Sequence, residues 1–284
     1  MAFVAKHPGV SAERAAAHVR DELAAAHGLL SGGRAGDAEI VHDARRAITR
    51  ARGELRLIAP KFSEVRRQID GSLRAALHEL APARDAEATL EACAALRRHA
   101  RCDQERASLE RLAARVAQHA LRADLGEACG HLDAAREACW RFEGLVIDHA
   151  DPDGALARCY RRCRRRLRVA RATRSAIALH AWRRQLRHLR THLTLLSESD
   201  PGSEPLRVAR ARAHRLATTL GDHHDLTLVL RAARSLPHKR DRKRIRRAVR
   251  RREQALRRKA FARGRRLFAD RPRRAVGRWL GSAA

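Results

Sequence analysis

The sequence has few aromatic residues and no long apolar run. Aromatic side chains make up 3% of its 284 residues, and the alternating Val, Ile and aromatic runs typical of β-strands are absent. No stretch approaches the roughly 18 consecutive apolar residues of a membrane-spanning helix. The first ten residues contain no apolar core of a secretory signal. We therefore expect a cytoplasmic protein that does not bind membranes.

Cysteine is present in six copies, but no two cysteines form a CxxC pair. Cys159 and Cys163 lie one helical turn apart, without a second pair of metal-type ligands nearby. A zinc site needs four ligands at recognisable spacing. The sequence therefore predicts reduced thiols, and it predicts neither a metal site nor a cofactor.

Ala, Leu and Arg dominate the composition, and all three are strong helix formers. They predict an all-α protein. Glycine- and proline-containing breaks separate its helical segments. The predicted segments are 11–30, 38–59, 62–80, 83–101, 104–124, 125–149, 154–173, 175–197, 205–220, 222–235 and 239–268.

The formal net charge is +30, and it is unevenly distributed. Residues 1–154 carry 23 basic and 24 acidic side chains, whereas residues 155–284 carry 39 basic and 8 acidic ones. The charge changes at Asp151-Pro152-Asp153-Gly154, which also predicts the boundary between a near-neutral half, 1–153, and a strongly basic half, 154–284. Such asymmetry indicates a polyanionic partner.

A repeat relates the two halves. Segment 40–58 reads IVHDARRAITRARGELRLI, and segment 178–196 reads ALHAWRRQLRHLRTHLTLL. At about 100° per helical residue, each segment has one apolar face and one basic face. The apolar faces consist of Val41, Ile48, Leu55 and Ile58, and of Leu179, Leu186, Leu193 and Leu196. A second pair of segments places Arg84-Asp85 opposite His224-Asp225.

The basic faces lack the mixed signs of an ordinary solvated helix face, because residues 155–197 contain 13 Arg and no acidic residue. Like charges one turn apart destabilise a helix unless an anion relieves them. Arginine can donate two hydrogen bonds to one phosphate. The candidate contacts are His42, Arg45, Arg46, Arg50 and Arg52 in the first half, His180, Arg183, Arg184, Arg187 and Arg190 in the second, and Arg164, Arg165 and Arg168 on the preceding helix.

A third basic segment spans residues 239–274 and contains 19 Lys plus Arg against 3 acidic residues. Ile245, Val249, Leu256, Ala260 and Leu267 form an apolar stripe along it, which predicts a packed amphipathic helix. Two interpretations stay open at this point. The helix either lines the ligand site or is a generic solvated, nucleic-acid-adhering surface.

These motifs resemble the CHAD family, which is named for histidines on an α-helical domain. The first signature is Val41-His42-Asp43 with the arginines that follow, and the second is Leu179-His180 with Trp182-Arg183-Arg184. The resemblance covers roughly residues 11–270. It implies two pseudo-symmetric four-helix bundles, with a basic pocket or pore between them that binds inorganic polyphosphate. It also implies a cytoplasmic protein that can associate with polyphosphate granules.

The sequence departs from the family pattern at Thr49, Pro82 and His188. Thr49 and His188 stand where basic residues are expected, and Pro82 stands where the second half has Gly221. Together with the charge asymmetry, these departures predict that the second half dominates binding.

Two other functions remain open alongside polyphosphate binding. Nonspecific nucleic-acid binding is the main alternative, because any phosphate chain releases counterions from a basic surface. However, there is no helix-turn-helix or zinc-finger signature, and the aromatics do not cluster to stack bases. A metal-dependent phosphohydrolase is suggested by the His-Asp pairs, but arginine-rich surroundings would repel a divalent cation. We expect a non-enzymatic protein with no catalytic residue.

Overall fold

The structure is a computed structural model that describes residues 12–33, 37–58, 63–119, 123–140 and 152–281. These residues form eleven α-helices and a short 3₁₀-helix, without a β-strand, so the predicted all-α fold is confirmed. The helices are α1 (Ala12–Ser31), α2 (Ala38–Ile58), α3 (Ser63–Glu79), α4 (Ala81–Arg97), α5 (Asp103–Gln118), α6 (Leu125–Trp140), α7 (Pro152–Thr173), α8 (Ala176–Ser199), α9 (Glu204–Ala232), α10 (Lys239–Leu267) and α11 (Pro272–Leu280).

Helix α8 illustrates how the sequence determines these elements. Its N-cap is Ser175, whose hydroxyl accepts a hydrogen bond from the backbone N–H of Ala178 at 3.1 Å and so satisfies an otherwise unpaired donor. Apolar residues then recur every three or four positions and form one buried face, as the repeat predicts. The buried residues are Leu179, Trp182, Leu186, Leu189, Leu193 and Leu196.

One predicted break is wrong. Segment 205–220 and most of segment 222–235 form the single helix α9, which passes through Gly221 without interruption. Residues Ala233–Ser235 form the 3₁₀-helix that follows it. A glycine inside a helix costs only about 1 kcal/mol, and the buried Leu216, Leu220 and Leu226 on either side favour a continuous helix. In the first half the chain does break, because Pro82 lies in the first turn of α4 and α3 ends at Glu79.

Buried apolar side chains form three clusters. The first joins α1, α2, α3 and α6. The second joins α7, α8 and α11 to the first part of α9 and the last part of α10, with Tyr160 and Trp182 at its centre. The third packs α4 and α5 against the remaining parts of α9 and α10, so it contains residues of both halves. No described helix is long and apolar enough to cross a membrane.

Helices α2 and α8 approach each other closely at Gly53 and Thr191. A β-carbon added to Gly53 would lie 2.1 Å from Cγ2 and 2.9 Å from Cβ of Thr191, closer than atoms can pack. Thr191 follows Gly53 by 138 residues, the offset that also separates His42 from His180. Equivalent positions of the repeat are therefore in contact, and the absence of a side chain at Gly53 permits this approach.

Candidate functional site

Five arginines converge near the crossing of α2 and α8. We call them the central cluster: Arg45, Arg52, Arg183, Arg187 and Arg190. Arg187 lies half-buried among the others. Burial lowers the pKa of Arg187 to about 10, and the positive charges of the other four members lower it in the same direction. A guanidinium with this pKa is still protonated at neutral pH, so Arg187 adds a half-buried positive charge to the cluster.

Hydrogen bonding differs between the arginines of α8 and those of α2. Among the described residues, none accepts a hydrogen bond from or forms an ion pair with Arg183, Arg187 or Arg190. The two from α2 are tethered, because Arg45 donates to the carbonyl oxygen of Leu77 at 2.8 Å and Arg52 donates to Oδ1 of Asp70 at 2.8 Å. The available donors of the cluster therefore come mainly from the second half.

Two carboxylates, Asp85 and Asp225, border the cluster at equivalent positions. Burial lowers the pKa of Arg45, and the negative charge of Asp85 opposes that effect. Burial likewise lowers the pKa of Arg183, opposed by Asp225. Asp225 itself has a pKa raised to about 6 by burial, which the charge of Arg183 only partly offsets. Asp225 is therefore a proton acceptor that titrates near neutral pH beside the cluster.

Two histidine rings lie close together at one side of the cluster, with their planes inclined at 46°. The rings of His180 and His224 lie 5.2 Å apart between centroids. Burial lowers the pKa of His224 to about 4, and the charges of Arg183 and His180 add to the effect. Burial and the neighbouring arginines also lower the pKa of His180. Both rings are therefore neutral at pH 7. His42 lies exposed on α2.

Not every candidate on α2 faces the cluster. Arg50 donates from Nε and Nη2 to the two carboxylate oxygens of Glu22 at 2.6 and 2.8 Å, so its guanidinium is engaged with α1. Arg46 lies 3.5 Å from Asp43, and more than half of its side chain is exposed. It is also close enough to Arg190 to lower the pKa of that arginine, alongside the larger effect of burial.

A cavity of about 460 Å³ lies between α2, α3, α7 and α8. Arg52 belongs to its wall, and so does Arg184, which is exposed on α8. In the repeat, Arg52 corresponds to Arg190, and Arg46 corresponds to Arg184. Arg46 and Arg190 also lie near each other. Seven arginines and one aspartate line the cavity: Arg52, Arg66, Arg67, Arg74, Arg158, Arg162, Arg184 and Asp70.

The arginines that α7 contributes to this cavity differ from the predicted ones. Arg158 and Arg162 line it, whereas Arg164, Arg165 and Arg168 do not. Arg164 is half-buried near Tyr160, while Arg165 and Arg168 are exposed. Cys159 and Cys163 belong to the buried stripe of α7, and arginines lie on both sides of that stripe. The sequence carries no signal that tells which side faces α8, so it could not single out Arg158 and Arg162.

All six cysteines are free, and Cys93, Cys139, Cys159 and Cys163 are buried. The amide nitrogen of Gln185 donates to Sγ of Cys159 at 3.4 Å. In the described part of the chain, no three His, Cys, Asp or Glu side chains are grouped so that they could hold a metal ion.

The sequence matches a protein-family model over most of its length. No curated protein matched the sequence. The family model described as CHAD domain matches residues 13–235, which include every residue of the central cluster and nearly all of α1 to α9. The match ends before α10, although the predicted resemblance extended to about residue 270. Since the model covers most of the chain, the protein belongs to the CHAD family.

Proposed function

We propose that the protein binds inorganic polyphosphate at the central cluster, without catalysing a reaction. The observation that carries this proposal is the environment of Arg187, a half-buried cation whose charged neighbours in the cluster are all cations. Burying a charge without a counter-charge is costly. A chain of phosphates lying along the α2–α8 crossing would supply the missing negative charge.

Arginine geometry favours phosphate as the anion. Each guanidinium can donate two parallel hydrogen bonds to one phosphate group and stays charged at cellular pH. The untethered side chains of Arg183, Arg187 and Arg190 are spaced three to four residues apart along α8, so they recur at about 5 Å along the helix axis. Such a row suits an anion that repeats its charge along a narrow chain.

The surroundings of the cluster favour a chain without bases. Binding of single-stranded nucleic acid relies on aromatic rings that stack on bases. Trp140 on α6 is the exposed large aromatic side chain among the described residues. The cluster offers charge and hydrogen bonds, and no Trp, Tyr or Phe belongs to it.

The architecture implied for the family also enters this proposal. We infer two pseudo-symmetric bundles. Helices α1, α2, α3 and α6 form one, and α7, α8, the first part of α9 and the last part of α10 form the other. The contact between Gly53 and Thr191 supports a pseudo-twofold axis at the α2–α8 crossing. The arginine-lined cavity beside it is the proposed basic pocket, which continues the path of the phosphate chain beyond the central cluster.

The test is a competition experiment. A labelled long polyphosphate chain is bound to the protein at physiological salt and displaced by polyphosphate, single-stranded DNA, duplex DNA or RNA at equal phosphate concentration. We expect polyphosphate to compete at least about tenfold better, a difference of about 1.4 kcal/mol. Equal competition by all four polyanions would refute a site specific for a bare phosphate chain and would favour the nucleic-acid alternative.

The absence of catalysis is tested on the same material. Polyphosphate is incubated with the protein and either Mg²⁺ or Mn²⁺, and released phosphate is measured over hours. We expect no release above a protein-free control. Release that follows the protein through purification would instead establish a phosphohydrolase. For the location, we propose the cytoplasm and polyphosphate granules, which a fluorescent fusion compared with granule staining would check.

The two halves are expected to contribute unequally to binding. Reversing charge at Arg183 and Arg184 should lower polyphosphate affinity more than reversing charge at Arg45 and Arg46, by about tenfold. Arg45 is already tethered to Leu77, and Arg46 lies beside Asp43, whereas Arg183 has no such partner among the described residues. Both double variants change the net charge equally, so a titration calorimeter compares them directly. Equal losses would show that both halves contribute alike.

Polyphosphate affinity is expected to rise as pH falls from 8 to 6. A phosphate chain near Arg183 would raise the pKa of Asp225 above its value of about 6 in the free protein. Binding therefore takes up a proton, and affinity increases as pH falls from the bound-state pKa to the free-state pKa. His180 and His224 should change the affinity in the same direction. Their pKa values are lowered in the free protein, and a bound anion would raise them. Fluorescence titrations with long chains measure this dependence.

Asp225→Asn should flatten that pH dependence and raise affinity at pH 8 by roughly fivefold, about 1 kcal/mol, because it removes a competing negative charge. Asp222→Asn is the matched control. Asp222 lies near Arg252, Lys259 and Arg263. Its charge also raises the pKa of Asp225, so Asp222→Asn should lower that pKa while leaving the Asp225 carboxylate beside Arg183. A loss of affinity in Asp225→Asn would mean that the carboxylate positions Arg183 for binding instead of opposing the ligand.

A further inference from the structure

Helix α10 has a cationic stripe on its solvent side. We call it the outer stripe. Its six side chains are all exposed, and at about 100° per residue they fall within a sector of about 80°. The members are Arg240, Lys243, Arg247, Arg250, Arg258 and Arg265. The stripe runs for about 38 Å along the helix, at about 1.5 Å per residue.

Both acidic residues of α10 lie on its inner side. Asp241 is buried and accepts hydrogen bonds from Ser108 at 2.7 Å and from Arg111 at 2.7 and 3.0 Å. Glu253 lies 3.6 Å from Nε2 of His223. Their negative charge is therefore directed toward α5 and α9, and the outer stripe contains no acidic residue.

The stripe is free of protein partners within the described residues. None of its six side chains forms a hydrogen bond or ion pair there. Like charges one turn apart oppose helix formation by a few tenths of a kcal/mol per pair. The buried Ile245, Val249 and Leu256 on the opposite face hold the helix in place despite this repulsion. The arrangement therefore presents a fixed row of cations to the solvent.

Accessibility distinguishes this row from the central cluster. The arginines of the central cluster are half-buried beside the α2–α8 crossing, so they are less accessible than the outer stripe. The six side chains of the outer stripe are all exposed, so a wide and stiff polyanion can approach them. Its length of about 38 Å is close to one turn of duplex DNA, about 34–36 Å, and the duplex carries one negative charge per about 1.7 Å.

We propose that the outer stripe of α10 docks duplex nucleic acid through phosphate contacts, without reading the base sequence. Phosphate contacts alone give affinity without sequence information. A lipid surface fits less well, because α10 exposes no large apolar or aromatic side chain that could insert between headgroups. The family match ends at residue 235, so this surface lies outside the matched region. The proposal does not depend on polyphosphate binding at the central cluster.

The test uses the full chain and a fluorescent duplex of about 30 base pairs and arbitrary sequence, long enough to cover the stripe. The stripe variant replaces Arg240, Arg247, Arg250 and Arg258 with glutamine, which preserves helix propensity. We expect its duplex affinity at about 0.15 M salt to fall about tenfold or more. The slope of log affinity against log salt should decrease by about four, close to one unit for each phosphate that the variant no longer neutralises.

The matched control removes the same charge from α7 by replacing Arg161, Arg165, Arg168 and Arg171 with glutamine. These arginines are also exposed in the basic half. We expect the α7 variant to keep its duplex affinity within about threefold, since exposed charges beyond a Debye length of about 8 Å are screened. Arg187→Met should keep duplex affinity within about twofold, while its effect on polyphosphate tests the central cluster separately.

Three outcomes would overturn the proposal. Equal losses in the α7 and stripe variants would assign duplex binding to net charge. A comparable loss in Arg187→Met would assign it to the central cluster. Tight, stripe-dependent binding to vesicles of phosphatidylcholine and phosphatidylserine, with weak duplex binding, would assign the surface to a membrane. Circular dichroism and thermal melts of each variant verify that the compared proteins are equally folded.

Discussion

Replacing Arg187 with methionine is expected to stabilise the free protein and, at the same time, to remove most of its affinity for polyphosphate. The half-buried guanidinium of Arg187 is surrounded by four other arginines, and its pKa is lowered to about 10 by burial and by their charges. Removing a partly buried charge that has no counter-charge should raise the free energy of unfolding by about 1 kcal/mol. The same change removes the central phosphate donor, so affinity should fall by about a hundredfold.

The stabilisation should not depend on pH between about 6 and 9. A cation whose folded-state pKa lies below its unfolded-state pKa destabilises the folded state wherever it is protonated in both states. That condition holds for Arg187 at every pH well below about 10. Urea titrations at the two ends of this range should therefore give the same difference between variant and parent.

The control for Arg187→Met is Arg184→Met. Arg184 is exposed on the same helix, so its replacement should change stability by no more than about 0.5 kcal/mol. Polyphosphate affinity is measured for both variants by isothermal titration. If Arg187→Met destabilised the protein, the guanidinium would have a structural role, and the α2–α8 crossing would hold no unmet charge for a ligand to neutralise.

Replacing Gly53 with alanine is expected to destabilise the protein by about 2 kcal/mol. The new β-carbon would lie 2.1 Å from Cγ2 and 2.9 Å from Cβ of Thr191. Rotation of the threonine side chain can move Cγ2 but not Cβ, so the two helices must separate. Overpacking of this kind costs about 1–3 kcal/mol. Chemical denaturation of variant and parent provides the measurement.

A double-mutant cycle isolates the contact. Adding Thr191→Gly to Gly53→Ala removes the obstructing atoms, so we expect a favourable interaction energy of at least about 1 kcal/mol relative to the sum of the single changes. Gly71→Ala on α3 is the control, because a β-carbon there meets no atom within 4 Å. It should stabilise the protein slightly through helix propensity. Additive losses in the cycle would contradict a steric origin at the crossing.

Local sequence determined the helices and the faces that they bury. The period of about 3.6 residues placed Val41, Ile48 and Leu55 on one side of α2, and all three are buried. The same period identified the buried stripe of α10. Gly221 is the exception, because a single glycine weakens a helix by an amount that neighbouring buried leucines exceed. A sequence pattern does not show whether the cost of the glycine or the gain from burying the leucines is larger.

The repeat and the charge asymmetry also indicated, from the sequence, which two helices carry the candidate site. They could not indicate which of the arginines have partners. Arg50 is bound by Glu22, 28 residues earlier, and Arg52 is bound by Asp70. Such pairs depend on how distant helices pack, and a one-dimensional pattern does not contain that information.

The sequence by itself therefore determined the helical fold, the family signatures and the basic faces of α2 and α8, because helix formation and amphipathicity depend on residues within a few turns of one another. Only the tertiary structure decided that Arg187 lies uncompensated at the centre, that Arg158 and Arg162 rather than Arg164, Arg165 and Arg168 line the cavity, and that the acids of α10 face inward. The physical reason is that burial and charge pairing depend on helix rotation and close approach, which contacts such as that between Gly53 and Thr191 establish across 138 residues of chain.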